Sequence, residues 1–403
     1  DILRVIYKNS LPPTTATNFL GYTKNITNLH SHGWHVSPEP NSDFVMYELM
    51  PGETFVHEYD TCMQEPGTLN FYHPHIHGLS AEQYWAGLVG PLVVNDSTPA
   101  LSGYETHIMV LKDISLSGSN PAPHSTMMDY MHGKEGNIIM VNGKVNPRLY
   151  AKAGQVQRWR ILNASNARFY KIALDGHTLN LIGTDGGLLD KPYPRSELLL
   201  SPGERVDVLV KAEKSSGSYK FKALPYSRMG MSTQQTITLM TVTYQGSLNQ
   251  SLPAAVNPDA RRIDPNGLMI MAERTLALSM GQGNGYINGQ DFDVDPYAIH
   301  SELGTYEIWT IQNNSGMDHP FHQHVDSAQV LEVNGGDAGY AALYTSIPAW
   351  KDTVLVPKMG SVKILVPIMD YDGMAMFHCH ILEHEDIGMM GMWHIMGAEM
   401  PMP

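Results

Sequence analysis

The stretch Gly154-Gln155-Val156-Gln157-Arg158-Trp159-Arg160-Ile161-Leu162-Asn163 returns in outline as Gly304-Thr305-Tyr306-Glu307-Ile308-Trp309-Thr310-Ile311-Gln312-Asn313. In both copies the tryptophan follows the glycine by five residues and the segment ends on asparagine. Val141-Asn142-Gly143 stands upstream of the first copy and Ile287-Asn288-Gly289 upstream of the second. Ile2-Leu3-Arg4-Val5-Ile6-Tyr7-Lys8-Asn9 is a fainter third copy without the upstream part. Self-similarity of this kind marks a repeated structural unit, and each unit reads as one β-sandwich.

The sequence around the repeat agrees. Short alternating β-branched runs bounded by Gly, Pro, Asn and Ser predict strands at Ile2–Tyr7, Leu88–Val94, Thr106–Leu111, Gln157–Leu162, Glu204–Val210, Thr236–Thr243, Thr305–Ile311 and Ser361–Pro367. Long helical patterns are scarce. Linker-like composition at Asn95–Ser102 and Gly246–Gly267 divides the chain. The expectation is an all-β protein of three Greek-key sandwich domains over residues 1–98, 99–250 and 262–403. A length of 403 residues accords with more than one hydrophobic core.

Composition removes several function classes. The 26 basic and 40 acidic residues leave a net charge of −14, which argues against nucleic-acid binding. No apolar run approaches the ~20 residues of a membrane helix, and no secretory signal opens the sequence. Two cysteines cannot form a disulfide framework. Cys62 is expected to be a small buried hydrophobe.

The 19 histidines are clustered. His30-Ser31-His32, His73-Pro74-His75-Ile76-His77, His319-Pro320-Phe321-His322-Gln323-His324 and His378-Cys379-His380 followed by His384 hold most of them. Residues two apart on a strand share a face, so each His-x-His is a chelating unit. Two pairs near the start and two near the end can meet only between the first and last domains. Cys379, His384 and Met389 stand at Cys-x4-His-x4-Met, with His319 available from a neighbouring strand. Two His, one thiolate and a weak axial Met make a blue-copper site. Zinc also takes His and Cys, but its structural sites are usually closed by four strong ligands. On one strand His378 and His380 face away from Cys379, so this triplet can touch two metal centres.

These motifs, together with Trp350-Lys351-Asp352-Thr353, resemble the multicopper oxidase family, in particular its three-domain laccase and bacterial copper-efflux oxidase group. The resemblance spans essentially the whole chain and implies three cupredoxin-like domains and four coppers. It would give His319, Cys379 and His384 to the type 1 copper, with Met389 axial. His30 and His322 would hold the type 2 copper, and His32, His73, His75, His324, His378 and His380 the type 3 pair. Asp43 and Glu385 match the family's cluster-side aspartate and proton-relay glutamate. The implied reaction is one-electron oxidation of a phenol, aromatic amine or metal ion such as Cu(I), coupled to four-electron reduction of O2 to water. The group's usual opening strands are absent, so the first domain is expected to be truncated at its N-terminus. A periplasmic or secreted monomer is implied. A copper nitrite reductase would need no type 3 pair, and a non-catalytic cupredoxin protein would need no complete ligand set.

Two features stay open. His35 and His77 sit beside ligand pairs but match no ligand position. The segment His124-Ser125-Thr126-Met127-Met128-Asp129-Tyr130-Met131-His132, with Met229 and Met231, collects soft donors suited to Cu(I). Flexible core filling is the alternative reading, and the favoured one.

Overall fold

A computed structural model describes residues 1–229 and 235–397; Met231 lies outside the described residues. The chain forms three β-sandwiches. Strands Ile2–Lys8 and Thr54–Asp60 make one sheet of the first, and His30–His32, Leu69–His73 and Gly90–Val93 make the other. The second sandwich has sheets of five and six strands, and the third has two of five.

The repeat has a physical cause at each of its landmarks. Val156–Asn163 pairs parallel to Glu105–Ile114 and antiparallel to Arg205–Lys211. Thr305–Asn313 pairs parallel to Ile270–Gly281 and antiparallel to Ser361–Ile368. Trp159 and Trp309 are fully buried at matching points of these central strands, where truncation to alanine costs about 3–5 kcal/mol. Asn142 and Asn288 adopt left-handed φ of 51° and 52°, a conformation that asparagine tolerates. Their side chains then bond the strand paired with the one each follows: Asn142 Oδ1 accepts from the Val110 N–H and Asn288 Oδ1 from the Ala277 N–H, both at 2.7 Å.

The terminal asparagines authenticate the third copy. Asn9, Asn163 and Asn313 each accept, through Oδ1, the backbone N–H two residues on, at 3.0, 3.1 and 2.9 Å. Each also donates Nδ2 to two backbone carbonyls, at least one of them 16 or more residues away. The asparagine therefore turns the chain out of its strand in all three sandwiches.

All eight expected strands form, each with at least one end displaced by a residue or more. Leu88–Val94 shortens to Gly90–Val93 because the Leu88 N–H closes on Gln83 O, finishing the Ser80–Trp85 helix. The short Leu382–Asp386 helix binds the domains together. Its Leu382 packs with Leu69, Phe71, Ala81 and Tyr84 of the first sandwich and with Leu162 and Ala164 of the second. No helix among the described residues is long and apolar enough to cross a membrane.

Candidate metal centre

Strand pairing brings the C-terminal motif together. His319–Gln323 runs antiparallel to Gly373–Cys379, with Phe321 opposite Cys379 and His322 opposite His378. The Leu382–Asp386 helix then reverses the chain and returns His384. His319 Nδ1 lies 3.3 Å and His384 Nδ1 3.6 Å from Cys379 Sγ, and the two nitrogens are 3.2 Å apart. Ser315 Oγ, 2.7 Å from His319 Nε2, fixes the other side of that ring. The buried Met389 donates its N–H to His384 O and accepts from the Cys379 N–H.

The other eight motif histidines meet in one buried nest between the first and third sandwiches. His32, His73 and His380 form one close group, and His75, His324 and His378 form a second. His30 and His322 form a third, with His32 shared at its corner. In the second group His378 Nε2 lies 3.1 Å from His75 Nε2 and 3.3 Å from His324 Nε2. In the third, His30 Nε2 and His322 Nε2 are 3.4 Å apart. Outward-facing nitrogens are anchored: His73 Nδ1 to Pro74 O, His378 Nδ1 to Cys379 O, and His322 Nδ1 to Asp352 O. Such partners set tautomer and ring direction in metal sites. As the side-chain alternation requires, Cys379 points to one site and its neighbours His378 and His380 to the other.

Burial is the first cause of the electrostatics. It pushes His73 and His319 down to about 3, and His30, His32, His75, His324, His378, His380 and His384 well below the usual range. Neighbouring imidazoles add to this at every one of these rings except His319, where Arg228 adds instead. These rings are therefore neutral, with lone pairs free for a metal. Burial pushes the Cys379 thiol up, so metal loading must release its proton. His32 Nδ1, His73 Nε2 and both His380 nitrogens are buried without a hydrogen-bond partner. Nitrogen-rich donors with a single thiolate fit copper.

Both expected carboxylates border the nest. Asp43 Oδ2 lies 2.8 Å from His30 Nδ1 and 3.8 Å from His324 Nδ1, while its Oδ1 accepts from Ser31 N–H and Oγ–H. Glu385 lies 3.2 Å from His378 Nδ1 and 3.6 Å from His75 Nδ1. Burial raises Asp43 to about 7 and Glu385 to about 8.

Two further contributors, Asp352 and His124, stand in the Trp350–Thr353 and His124–His132 motifs but have no role there that the sequence assigns. Asp352 Oδ1 lies 3.0 Å from His32 Nε2 and is held by Arg205. His124, from the second sandwich, lies 2.8 Å from the Glu383 carboxylate beside His384. His35 and His77 join no histidine group; they pair with Asp370 at 2.9 Å and Asp293 at 2.6 Å. The expectation for Cys62 is corrected: it is exposed. It lies in the turn after Thr54–Asp60, where its N–H is tied to Asp60 Oδ1 and its sulfur accepts from the Asp1 amino group at 2.6 Å. Core filling also fails for Met127 and Met128, which are 37% and 57% exposed. They open the Met127–His132 helix, capped reciprocally by Thr126 and Asp129. The Met131 backbone faces the His384 ring.

Comparison with known proteins places these motifs in context. Three multicopper oxidase family models match residues 14–99, 103–247 and 264–397. A multicopper oxidase of Staphylococcus haemolyticus is 30% identical over 91% of this chain and 76% of its own. A Bacillus subtilis laccase is 29% identical over 90% of this chain and 78% of its own. Among solved structures, a Campylobacter jejuni multicopper oxidase described as a metallo-oxidase superposes with a TM-score of 0.83 at 27% identity, covering 99% of this chain and 83% of that one. The three sandwiches are cupredoxin-like, the cofactor is copper, and the chain is a laccase-like oxidoreductase that passes electrons from a reducing substrate to O2. The chain belongs to the multicopper oxidase family.

Proposed function

We propose that His319, Cys379 and His384, together with Met389, would hold a type 1 copper, that His30 and His322 would hold a type 2 copper, and that His32, His73, His75, His324, His378 and His380 would hold a type 3 pair. The observation carrying this reading is the division of eight buried histidines into close groups, two of which contain the chain neighbours of Cys379, His378 and His380. Copper supplies one-electron storage that matches four single oxidations to one four-electron reduction of O2. The chain's own residues supply the rest. Cys379 and the flanking His378 and His380 join the two sites through a few covalent bonds. Burial keeps bulk water from the histidine nest. Asp43 and Glu385, each against two histidines, hold protons where O2 reduction consumes them. Metal analysis with optical and EPR spectra tests the assignment: about four coppers per chain, a thiolate-to-copper blue band and a type 2 signal are expected. A zinc-loaded protein, or a copper-replete one without the blue band, would overturn it.

The reductant has two readings. Phenols and aromatic amines accord with the likeness to laccases. Cu(I) is favoured by the exposed Met127 and Met128 on the short helix whose Met131 backbone faces His384. Turnover of Cu(I) and of a phenol by wild type and a Met127→Leu/Met128→Leu/Met131→Leu variant separates them. Selective loss of Cu(I) turnover supports the second reading, and unchanged turnover removes it. The domain limits 1–98, 99–250 and 262–403, a monomeric state and a periplasmic or secreted location complete the proposal. Limited proteolysis, sedimentation and cell fractionation test them.

A further inference from the structure

The second sandwich contributes none of the proposed copper ligands, yet one of its side chains reaches the supports of four of them. Arg205 opens the strand Arg205–Lys211 and is 1% exposed. All five of its guanidinium N–H donors are used. Nε donates to Leu69 O at 2.7 Å and Nη2 to Asn70 Oδ1 at 3.1 Å, both on the first-domain strand that ends in His73. Nη1 and Nη2 grip Asp352 of the third sandwich in a two-point fork at 2.7 and 2.6 Å, and Nη1 also donates to Gly203 O. The gripped Asp352 in turn orients two histidines: its Oδ1 faces His32 Nε2 at 3.0 Å, and its backbone carbonyl faces His322 Nδ1 at 2.9 Å.

Two glycines make room for this arrangement. Gly33, directly after His32, has a φ of 84°, and a Cβ there would collide with Arg205 Nη2. Gly203, in the turn before Arg205, has a φ of 85° and lies against the imidazole of His380, which a Cβ would meet at 3.1 Å.

We propose that Arg205 is a positioning residue for the trinuclear copper cluster: one guanidinium ties the three domains together and, through Asp352, sets the His32 and His322 rings. The inference rests on the copper assignment above. Its reach is one-sided. His32, His73, His322 and His380 lie on the side that Arg205 and its turn support. His75, His324 and His378 are bordered instead by Asp43 and Glu385. Among the described residues, no hydrogen bond or ion pair joins Arg205 to His319, Cys379 or His384. Lysine cannot replace it, because an ammonium lacks the planar fork that grips Asp352 while reaching Leu69 O.

The test uses the copper-loaded full chain as wild type, Arg205→Lys, Arg205→Met and a control, Arg158→Lys. Arg158 is also buried in the second sandwich and paired with Asp96 and Asp207, but it touches none of these supports. Copper per chain, blue-band intensity, the type 2 EPR signal and copper retention against a chelator are measured. Both Arg205 variants are expected to keep the blue band and to show an altered type 2 signal. Their non-blue copper should be lost about 10–100-fold more readily, the usual effect of disturbing a ligand's hydrogen-bond partner, here Asp352. Arg158→Lys should match wild type in every readout. Where Arg205→Met fails to fold, Arg205→Lys, which retains charge and length, decides alone. A wild-type type 2 signal and chelator resistance in Arg205→Lys would overturn the proposal, as would equal copper loss in Arg158→Lys. Absence of the blue band and type 2 signal from wild type would overturn the copper assignment instead.

Discussion

Replacing Lys351 with methionine tests the buried charges at the junction of the second and third sandwiches. Lys351 is fully buried, with Nζ 2.8 Å from both Asp185 and Glu204 and 4.5 Å above the Tyr344 ring. Methionine preserves much of the volume but strands two carboxylates. Asp185 keeps the Arg205 backbone N–H on Oδ1 at 2.7 Å and the more distant Arg205 guanidinium at 3.7 Å, while its Oδ2 loses the Lys351 ammonium. Glu204 keeps the Tyr340 hydroxyl and Ser201. Breaking a buried pair in this way costs about 3–5 kcal/mol. Spread over the unfolding entropy of a chain this long, that lowers the melting temperature by about 4–6 °C.

The pH dependence has a definite sign. Burial raises Asp185 from 3.8 to about 6, against the opposing pull of Lys351 and Arg205. Between those values the folded state binds more protons than the unfolded state, so this group's contribution to stability falls as pH rises through the window. Without Lys351 the upper edge moves higher. The variant then escapes part of its penalty by protonating Asp185, so the loss is largest above pH 7 and shrinks toward pH 5. Unfolding followed by calorimetry and circular dichroism across that range measures it. Lys351→Met/Glu204→Gln should recover part of the loss. A loss below about 1 kcal/mol, or one that grows as pH falls, would refute the reasoning.

Cys379→Ser should abolish the blue band and reductant oxidation while leaving a type 2 EPR signal; normal oxidase activity would exclude the thiolate from the electron route. Glu385→Gln should slow steady turnover under O2 by about 10–100-fold. Anaerobic reduction of the blue band by a reductant should stay at the wild-type rate, and unchanged turnover would leave the carboxyl without a role in O2 reduction. Gly203→Ala forces an alanine to a φ of 85° against the His380 ring. It should cost about 1–3 kcal/mol in thermal unfolding, and a neutral result would mean that the turn shifts freely.

What the sequence disclosed and what it hid follow from the range of the interactions. The repeat was readable because its causes are local. A tryptophan at a fixed strand position and an asparagine bonding the residue two ahead both leave their mark within ten residues. The ligands were readable for the same reason, since a strand's period of two turns His-x-His into a chelate without knowledge of the fold. Their sorting into groups was not. It depends on the register that sets His322 against His378 and on the packing that brings His380 to His32. Arg205 lay beyond reach altogether, because its partners Leu69, Asn70 and Asp352 stand 135 to 147 residues away. The methionine segment is the intermediate case. Thr126 and Asp129 form a capping box that marks a helix start. Read that way, the spacing would have set Met127 and Met131 on one helical face, though which surface that face covers is decided by tertiary packing. Cys62 failed because residue-type burial statistics were applied to a turn, where position along the chain outweighs side-chain character. The chemistry of this protein is therefore written in short motifs, while its metal geometry is written in contacts between domains. That division gives a sandwich without proposed ligands a role: Arg205 and His124 carry the second domain's packing to both candidate metal sites.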